Sequence, residues 1–291
     1  MATIQQHFIQ QKSIPQKSIV VISWDGISSP LSYILKDKAP DFDLFIFDYS
    51  GQDHQSQLEG LKPTYYLSQK TECKGDILQG VYAYLIQNKA TDFKYIGLMD
   101  DDLFISFSDL NKLIFIAEME QLDVFQASLS HDSYYHHRQF IQKAGRVIIP
   151  TNWVEIMAPF YSSAVFFEAG KEFTRSISGT GIDVYLIPTI QVLLNKTKTA
   201  VVHAVSMKHC RPIRTDNRIF SNGKDNLTEI AELQACCMDI VKQHPTKFAP
   251  DFVRDIINRK YVYGIPLAYK LKRLPTLFTN LYRFLVDESY R

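Results

Sequence analysis

The chain has 291 residues, 46% of them hydrophobic and 22% charged, with a formal net charge of +1. That length suits one large domain with an appended helical segment, and the composition is that of a folded chain, not a disordered one. Near-neutrality argues against a nucleic-acid backbone as partner, which calls for a basic excess, and no apolar run approaches the ~20 residues that span a bilayer.

In chain order, Met1 to Lys17 is rich in Gln and lacks the apolar core of a secretory signal. The four cysteines, Cys73, Cys210, Cys236 and Cys237, form no CxxC pair. Both features point to a cytoplasmic protein with reduced thiols. Ser18 to Ser23 is a short β-branched run, the pattern of a strand buried on both faces, and it ends at the turn signal Trp24-Asp25-Gly26. A second strand, Asp43 to Asp48, ends in an acid followed by Tyr49. Gly75 to Gln87 has helical spacing, with Ile77, Leu78, Val81, Leu85 and Ile86 on one face. Tyr95 to Met99 is a third strand and runs directly into Asp100-Asp101-Asp102. Ser108 is a candidate cap for a helix reaching Met119, and Leu122 to Leu129 reads as a strand. Residues 145–167 are apolar and β-rich, interrupted by Pro150 and Pro159. Gly179-Thr180-Gly181-Ile182-Asp183 introduces a helix to about Asn195, Ala200 to Val205 is a late strand, and helix resumes from Leu227. Strands alternating with helices predict an α/β fold with a Rossmann-like, mostly parallel central sheet flanked by helices. The expected division is a catalytic domain over 1–225 and a C-terminal helical extension over 226–291.

Three consecutive carboxylates at the end of an apolar strand raise one another's pKa or recruit a cation. Ligands of open α/β sheets sit at the carboxyl ends of strands, and oxygen ligands there favour a hard divalent ion, Mg²⁺ or Mn²⁺, shared with substrate phosphates. A solvated acidic turn that caps the next helix is the plainer alternative.

This strand-then-Asp-x-Asp pattern resembles the metal motif of glycosyltransferases of the A-type, nucleotide-diphospho-sugar fold. More narrowly, the chain resembles the "domain of unknown function 707" group of glycosyltransferase-like proteins. The matching pieces, in order, are Asp100 to Leu103, Val124 to Leu129, His136-His137-Arg138, Trp153 to Pro159, Gly179 to Asp183, and Val201-Val202 leading to His209. The resemblance implies that Asp102 binds the metal directly, that Asp100 holds the ribose or a metal-bound water, and that a late histidine, here His209, completes the metal site. Asp100, Asp102 and His209 are thus the candidate metal ligands, with Asp100 and Asp101 also facing the donor. Thr180 stands where the group usually has a bulky aromatic, and His203 stands where an acid is expected, so acceptor preference does not carry over.

Sugar transfer needs a base for the acceptor hydroxyl and stabilisation of a leaving nucleoside diphosphate. Asp183 is the candidate base, in a turn that its two glycines allow to approach a sugar closely; it is also in a position to cap a helix. Glu155 is the rival base, or with Trp153 it positions the acceptor. A carboxylate in that apolar stretch is costly without a partner. One base on the far face of the sugar implies direct displacement with inversion. His136, His137 and Arg138 are candidates for the donor sugar or diphosphate, or form a surface loop. Arg211, with Lys208 and Arg214, could neutralise the departing diphosphate. For the nucleotide, Trp24 and Tyr49 offer aromatic stacking, Asp25 and Asp48 offer ribose acceptors, and Lys74 offers a contact to base or phosphate. No GxGxxG or GxxxxGK[ST] fingerprint is present, which disfavours dinucleotide and P-loop readings.

The sequence therefore predicts a metal-dependent transferase moving sugar from a nucleotide-diphosphate donor to a glycan or lipid-linked hydroxyl. One rival is a sugar-nucleotide nucleotidyltransferase, weakened because Trp24 to Ser29 lacks a basic residue. The other is a transferase-like carbohydrate-binding protein without catalysis. The tail over 258–286 interleaves Lys and Arg with Tyr, Phe and Leu. It is compatible with packing on the catalytic domain or with peripheral contact to an anionic membrane.

Overall fold

A computed structural model describes residues 5–8, 18–29, 31–212 and 218–257; the predicted tail helices beyond 257 and Arg214 lie outside the described residues. The strands are β1 (Gln5–Phe8), β2 (Ser18–Trp24), β3 (Ile34–Leu35), β4 (Asp43–Asp48), β5 (Tyr65–Ser68), β6 (Tyr95–Met99), β7 (Leu103–Ser106), β8 (Val124–Leu129), β9 (Ile148–Pro150), β10 (Phe160–Ser162) and β11 (Thr199–His209). The helices that frame the site are α1 (Lys74–Gln87), α2 (Phe107–Glu120), α3 (Ser163–Gly170), α4 (Ile187–Leu194) and α5 (Asn226–Gln243).

The sheet order is β1-β5-β4-β2-β6-β10-β8-β11-β7-β3, with β9 paired to β11. Strands β5, β4, β2 and β6 are mutually parallel. β10 is antiparallel to both β6 and β8, so β8 points the same way as β6, and β11 runs parallel to β8. From β5 to β11 the sheet is thus mostly parallel with one reversed strand, β10, as the alternating pattern predicts. Around it, β1 pairs antiparallel with β5, β7 and β9 pair antiparallel with β11, and β3 runs parallel to β7. Every residue of β2, β4, β6 and β8 is buried, which is why these segments read as continuous apolar runs and not as alternating ones. α1 buries Ile77, Leu78, Val81 and Leu85. Burial of each such side chain is worth roughly 1.5–3 kcal/mol before entropy is counted.

Two local expectations are corrected. The helix over Phe107–Glu120 is capped by Ser106, whose Oγ accepts from the Asp109 amide at 3.0 Å, and not by Ser108. Ser108 instead donates to Asp37. The apolar stretch 145–167 holds only two three-residue strands, and from Ser163 it is helix. Hydrophobicity marks that stretch as buried without fixing its periodicity over such short pieces.

The end of β11 matters most for the site. Its register against β8 shifts between Val202 and Ser206, and beyond that point it turns to pair antiparallel with β7, setting His209 opposite Leu103. The Cys210 amide then donates to the Asp102 carbonyl at 2.9 Å. Such irregularities bend a strand and re-aim its side chains.

Candidate active site

The parallel register places Trp24 beside Asp48 and Ile22 beside Met99, so the carboxyl ends of β2, β4 and β6 open on one side of the sheet. That edge is the usual ligand crevice of an open α/β sheet. Asp100, Asp101 and Asp102 lie there, and each is met by a base from another part of the chain. Lys74 Nζ, at the start of α1, donates to Asp100 Oδ1. Arg211 reaches both oxygens of Asp101 at 3.2 and 3.3 Å, and the Tyr49 hydroxyl donates to Asp101 Oδ2 at 2.9 Å. His209 Nε2 stands 3.3 Å from Asp102 Oδ2.

Asp100 has its pKa raised, by desolvation first, with Lys74 pulling the other way and the neighbouring acids adding to the rise. For His209, burial opposes the charged ring, but the hydrogen bond and charge of Asp102 and the Tyr134 carbonyl outweigh it, and the net shift is upward. Its Nδ1 lies 2.9 Å from the Tyr134 carbonyl, which fixes that nitrogen as the donor and leaves Nε2 toward Asp102. Asp102 Oδ1 is buried with no hydrogen-bond partner. A buried carboxylate oxygen in that condition is costly unless something else engages it.

The predicted base lies on the same side. The Met157 carbonyl accepts from the Asp100 amide at 3.0 Å, which carries the segment around Glu155 past the end of β6. Gly179 is wedged among Ile156, Gly75 and Lys74, so closely that a Cβ there would fall 2.8 Å from the Ile156 Cδ1 atom. Gly179 and Gly181 both hold positive φ, 79° and 90°, and the turn they make delivers Asp183 to the first residue after Ile182 in a π turn, Ile182–Leu186, that leads into α4. Asp183 Oδ2 accepts from the Ile156 amide at 3.3 Å. Asp183 keeps a partly exposed edge, yet protein surrounds it on most sides. That desolvation pushes its pKa up to about 7, against the opposing pull of the Ile156, Asp183 and Val184 amides.

Glu155 is buried, and its Oε2 has no partner; burial first, then the charge of Asp183, pushes its pKa well above the usual carboxylate range. The Tyr161 hydroxyl is likewise buried without a partner and is shifted up by burial and by Asp183. Glu155 is held at its backbone, where its amide donates to Gln126 Oε1 at 2.5 Å. Asp183, Glu155 and Tyr161 thus form a second acidic cluster beside the first.

Other expectations divide. Of Trp24 and Asp48, both predicted to face the nucleotide, Asp48 is turned inward, while Trp24 lines a small cavity with Asp100 and Asp101. Trp24 is 2% exposed, with its indole N–H bonded to the Ser28 carbonyl at 2.7 Å. Asp48 is fully buried, receiving the Ser50 amide at 2.9 Å, the Tyr66 hydroxyl at 3.1 Å and His54 Nδ1 at 2.8 Å. A terminal acid on a doubly covered strand, here Asp48, is consumed by the core it caps. Asp25 and Tyr49 stay at the crevice; Asp25 Oδ1 receives the Ile27 and Ser28 amides and the Ser28 hydroxyl. Trp153 is half-buried and stands perpendicular to His137 and Phe140, with ring centroids 4.8 and 4.9 Å away. His136 and His137 lie with centroids 6.1 Å apart, just before the short helix Arg138–Phe140. Asp100, Asp102 and His209, predicted together as metal ligands, do not form a three-ligand cluster: among the described residues no group of three or more His, Cys, Asp or Glu is placed to hold a metal. The pair Asp102–His209 forms, while Lys74 occupies Asp100. Sequence reasoning assigned no role to Gln126, Tyr161, His54 or Glu229: Gln126 and Tyr161 are polar side chains on buried strands, His54 lies in a loop, and Glu229 sits on α5.

No protein-family model matches the chain, and no curated protein matches it. Solved structures do. S. aureus TarS 1–349 in complex with UDP-GlcNAc superposes with a TM-score of 0.52 at 12% identity, over 94% of this chain and 82% of that one. A second structure of S. aureus TarS gives the same score and identity over 94% of this chain and 50% of that one. At this identity the likeness is one of fold.

Proposed function

We propose that the chain is a glycosyltransferase that moves a sugar from a nucleoside-diphosphate donor to a hydroxyl of a glycan or glycolipid, with inversion. Asp102 carries this reading. Its Oδ1 is buried without a partner, and its Oδ2 faces a histidine nitrogen, at the strand ends where this fold offers a crevice. The fold is shared with S. aureus TarS in complex with UDP-GlcNAc, which supports a uridine-linked sugar as donor.

A divalent ion, Mn²⁺ or Mg²⁺, fits this donor set of one carboxylate and one imidazole whose second nitrogen is already tied to a carbonyl. Asp102 and His209 would hold it, with Asp100 available once Lys74 moves away. Such an ion neutralises charge on a leaving diphosphate. The chain's own residues do the rest. Lys74 and Arg211 exchange their carboxylates for phosphate oxygens as the donor enters. Asp183 accepts the proton of the acceptor hydroxyl as that oxygen bonds to the anomeric carbon. The anomeric carbon–phosphate oxygen bond breaks, and its electron pair leaves with the nucleoside diphosphate. Glu155 orients the acceptor, and Tyr49 and Asp25 line the nucleotide side. His136, His137, Arg138 and Trp153 border the sugar.

The proposed division keeps 1–225 as the catalytic domain and 226–291 as its helical extension. Among the described residues no helix is long and apolar enough to cross a membrane. For a lipid-linked acceptor, the basic and aromatic tail supplies a means of peripheral contact from the cytoplasm. The narrower kinship with the domain of unknown function 707 group rests on motif order alone.

A thermal-shift titration tests the assignment. UDP is expected to raise the melting temperature of the wild type in the presence of Mn²⁺ and not in its absence, and Asp102→Ala is expected to lose the metal-dependent part. Equal stabilisation of the variant would count against it.

A further inference from the structure

α5 contributes a carboxylate that neither the motifs nor the reaction above uses. Glu229 is fully buried on that helix. Its Oε1 accepts from the Ile177 amide and from Asn222 Nδ2, both at 2.9 Å. Its Oε2 accepts from the Ser178 amide at 3.0 Å and the Ser176 hydroxyl at 3.1 Å. Three of these four bonds go to the strip of chain that immediately precedes Gly179 and leads to Asp183. The same strip is held from its other side, where the Gly75 amide donates to the Ile177 carbonyl at 2.9 Å, one residue from Lys74.

A helix that only packed on this loop would need no acid. Ile230 and Leu233 of α5 already close over Gly181, where an added Cβ would fall 3.4 and 3.3 Å from them. A buried carboxylate costs free energy unless several donors meet it, so an acid here specifies one loop conformation more than it adds adhesion. Burial raises the Glu229 pKa, but its bonds to Ser178, Asn222 and Ile177 outweigh that, and the net shift is downward, so the side chain is ionised at neutral pH.

We propose that Glu229 is a positioning residue for the reaction: by fixing Ser176, Ile177 and Ser178 it sets the turn that delivers Asp183. Glu229 touches no reacting atom and acts through the loop. This inference rests on the reading of Asp183 as the base.

The test uses the full chain, with Mn²⁺ and UDP for binding and the best-used sugar of a UDP-sugar panel for turnover. Glu229→Gln keeps the volume and removes the charge. It is expected to bind UDP at one site per chain with Kd within about threefold of wild type. Its kcat is expected to fall roughly tenfold to a hundredfold, the scale of a small displacement of a reacting group. Hydrogen exchange of the amides from Ile177 to Asp183 is expected to quicken, with β2 and β6 unchanged. Ser176→Ala removes one of the bonds without touching α5. It is expected to lower kcat a few-fold, and the double variant should be no worse than Glu229→Gln alone. A Glu229→Gln protein that binds UDP and turns over like wild type, or whose loop exchange is unchanged, overturns the proposal. If that variant does not fold, a wild-type kcat in Ser176→Ala overturns it. A wild type that neither binds UDP nor turns over any UDP-sugar refutes the transferase reading itself, and the proposal with it.

Discussion

Asp183 is the residue on which chemistry and stability pull in opposite directions. Its pKa is pushed up to about 7 by desolvation, with Glu155 and Tyr161 the titratable groups that face it. A carboxyl raised above its unfolded value of about 3.9 binds its proton more tightly in the folded chain. Folding stability therefore falls as pH rises from about 4 to about 7, and the full cost is present above that window. Expected outcomes follow for transfer and for melting. The kcat/KM for transfer should rise with pH through about 7, because the base must be ionised. Asp183→Asn should abolish most of the transfer, by roughly 10²–10⁴-fold, while retaining UDP binding. The same variant should melt higher than wild type at pH 8, with the difference shrinking at pH 5, because an amide can still accept from the Ile156 amide without the charge. Transfer assays and melting curves at the two pH values check both. An active Asp183→Asn enzyme would move the role of base to Glu155. Asp183 and Glu155 were legible in the sequence because each is an acid in a conspicuous setting, one after paired glycines and one in an apolar run. Glu229 was not legible: a Glu in the first turn of a helix is ordinary, and three of its four partners, two of them backbone amides, lie some fifty residues away.

Among the elements, the start of α1 is the hinge of the site. It supplies Lys74 to the acidic triplet and, through the Gly75 amide, a hydrogen bond to the loop before Asp183. A Cβ at Gly75 would lie 1.7 Å from the Ser176 carbonyl oxygen, so the two backbones approach as closely as glycine permits. Gly75→Ala is expected to cost about 1–3 kcal/mol, the usual range for forcing atoms into a packed site. At this chain length that corresponds to roughly 2–4 °C in melting temperature per kcal/mol. Calorimetric melting would show it, and an unchanged temperature would mean that the loop and α1 can separate freely. Strands β2, β4 and β6 and helix α1 could be read from sequence because their apolar patterns are long and uninterrupted. The pairing of β10 between β6 and β8, and the bend that carries β11 to β7, could not. Three-residue strands carry no period, and a register shift is decided by the neighbouring strand, not by the residues that shift.

Across the whole molecule, the crevice is a place where acids and bases are paired off in advance. Asp100, Asp101 and Asp102 each face a base, Lys74, Arg211 and His209, drawn from a helix start and a strand end far apart in the chain. The net charge of +1 conceals this local order. Under the proposed reading, a donor with a diphosphate and a divalent cation would satisfy both sets at once, with phosphates for Lys74 and Arg211 and the metal for Asp102 and His209. The sequence marked the acids, because they are consecutive, and offered all three bases as candidates: Arg211 for the diphosphate, His209 for the metal, and Lys74 for the base or a phosphate. It could not tell that each base is already engaged, since that depends on the fold. A crystal structure of the chain with UDP and Mn²⁺ is the most direct measurement of this arrangement. An anomalous manganese peak between Asp102 and His209, with the diphosphate on it and Lys74 or Arg211 turned to phosphate, is the predicted result. A nucleotide bound elsewhere, or the three acid–base pairs intact with UDP present, would contradict it.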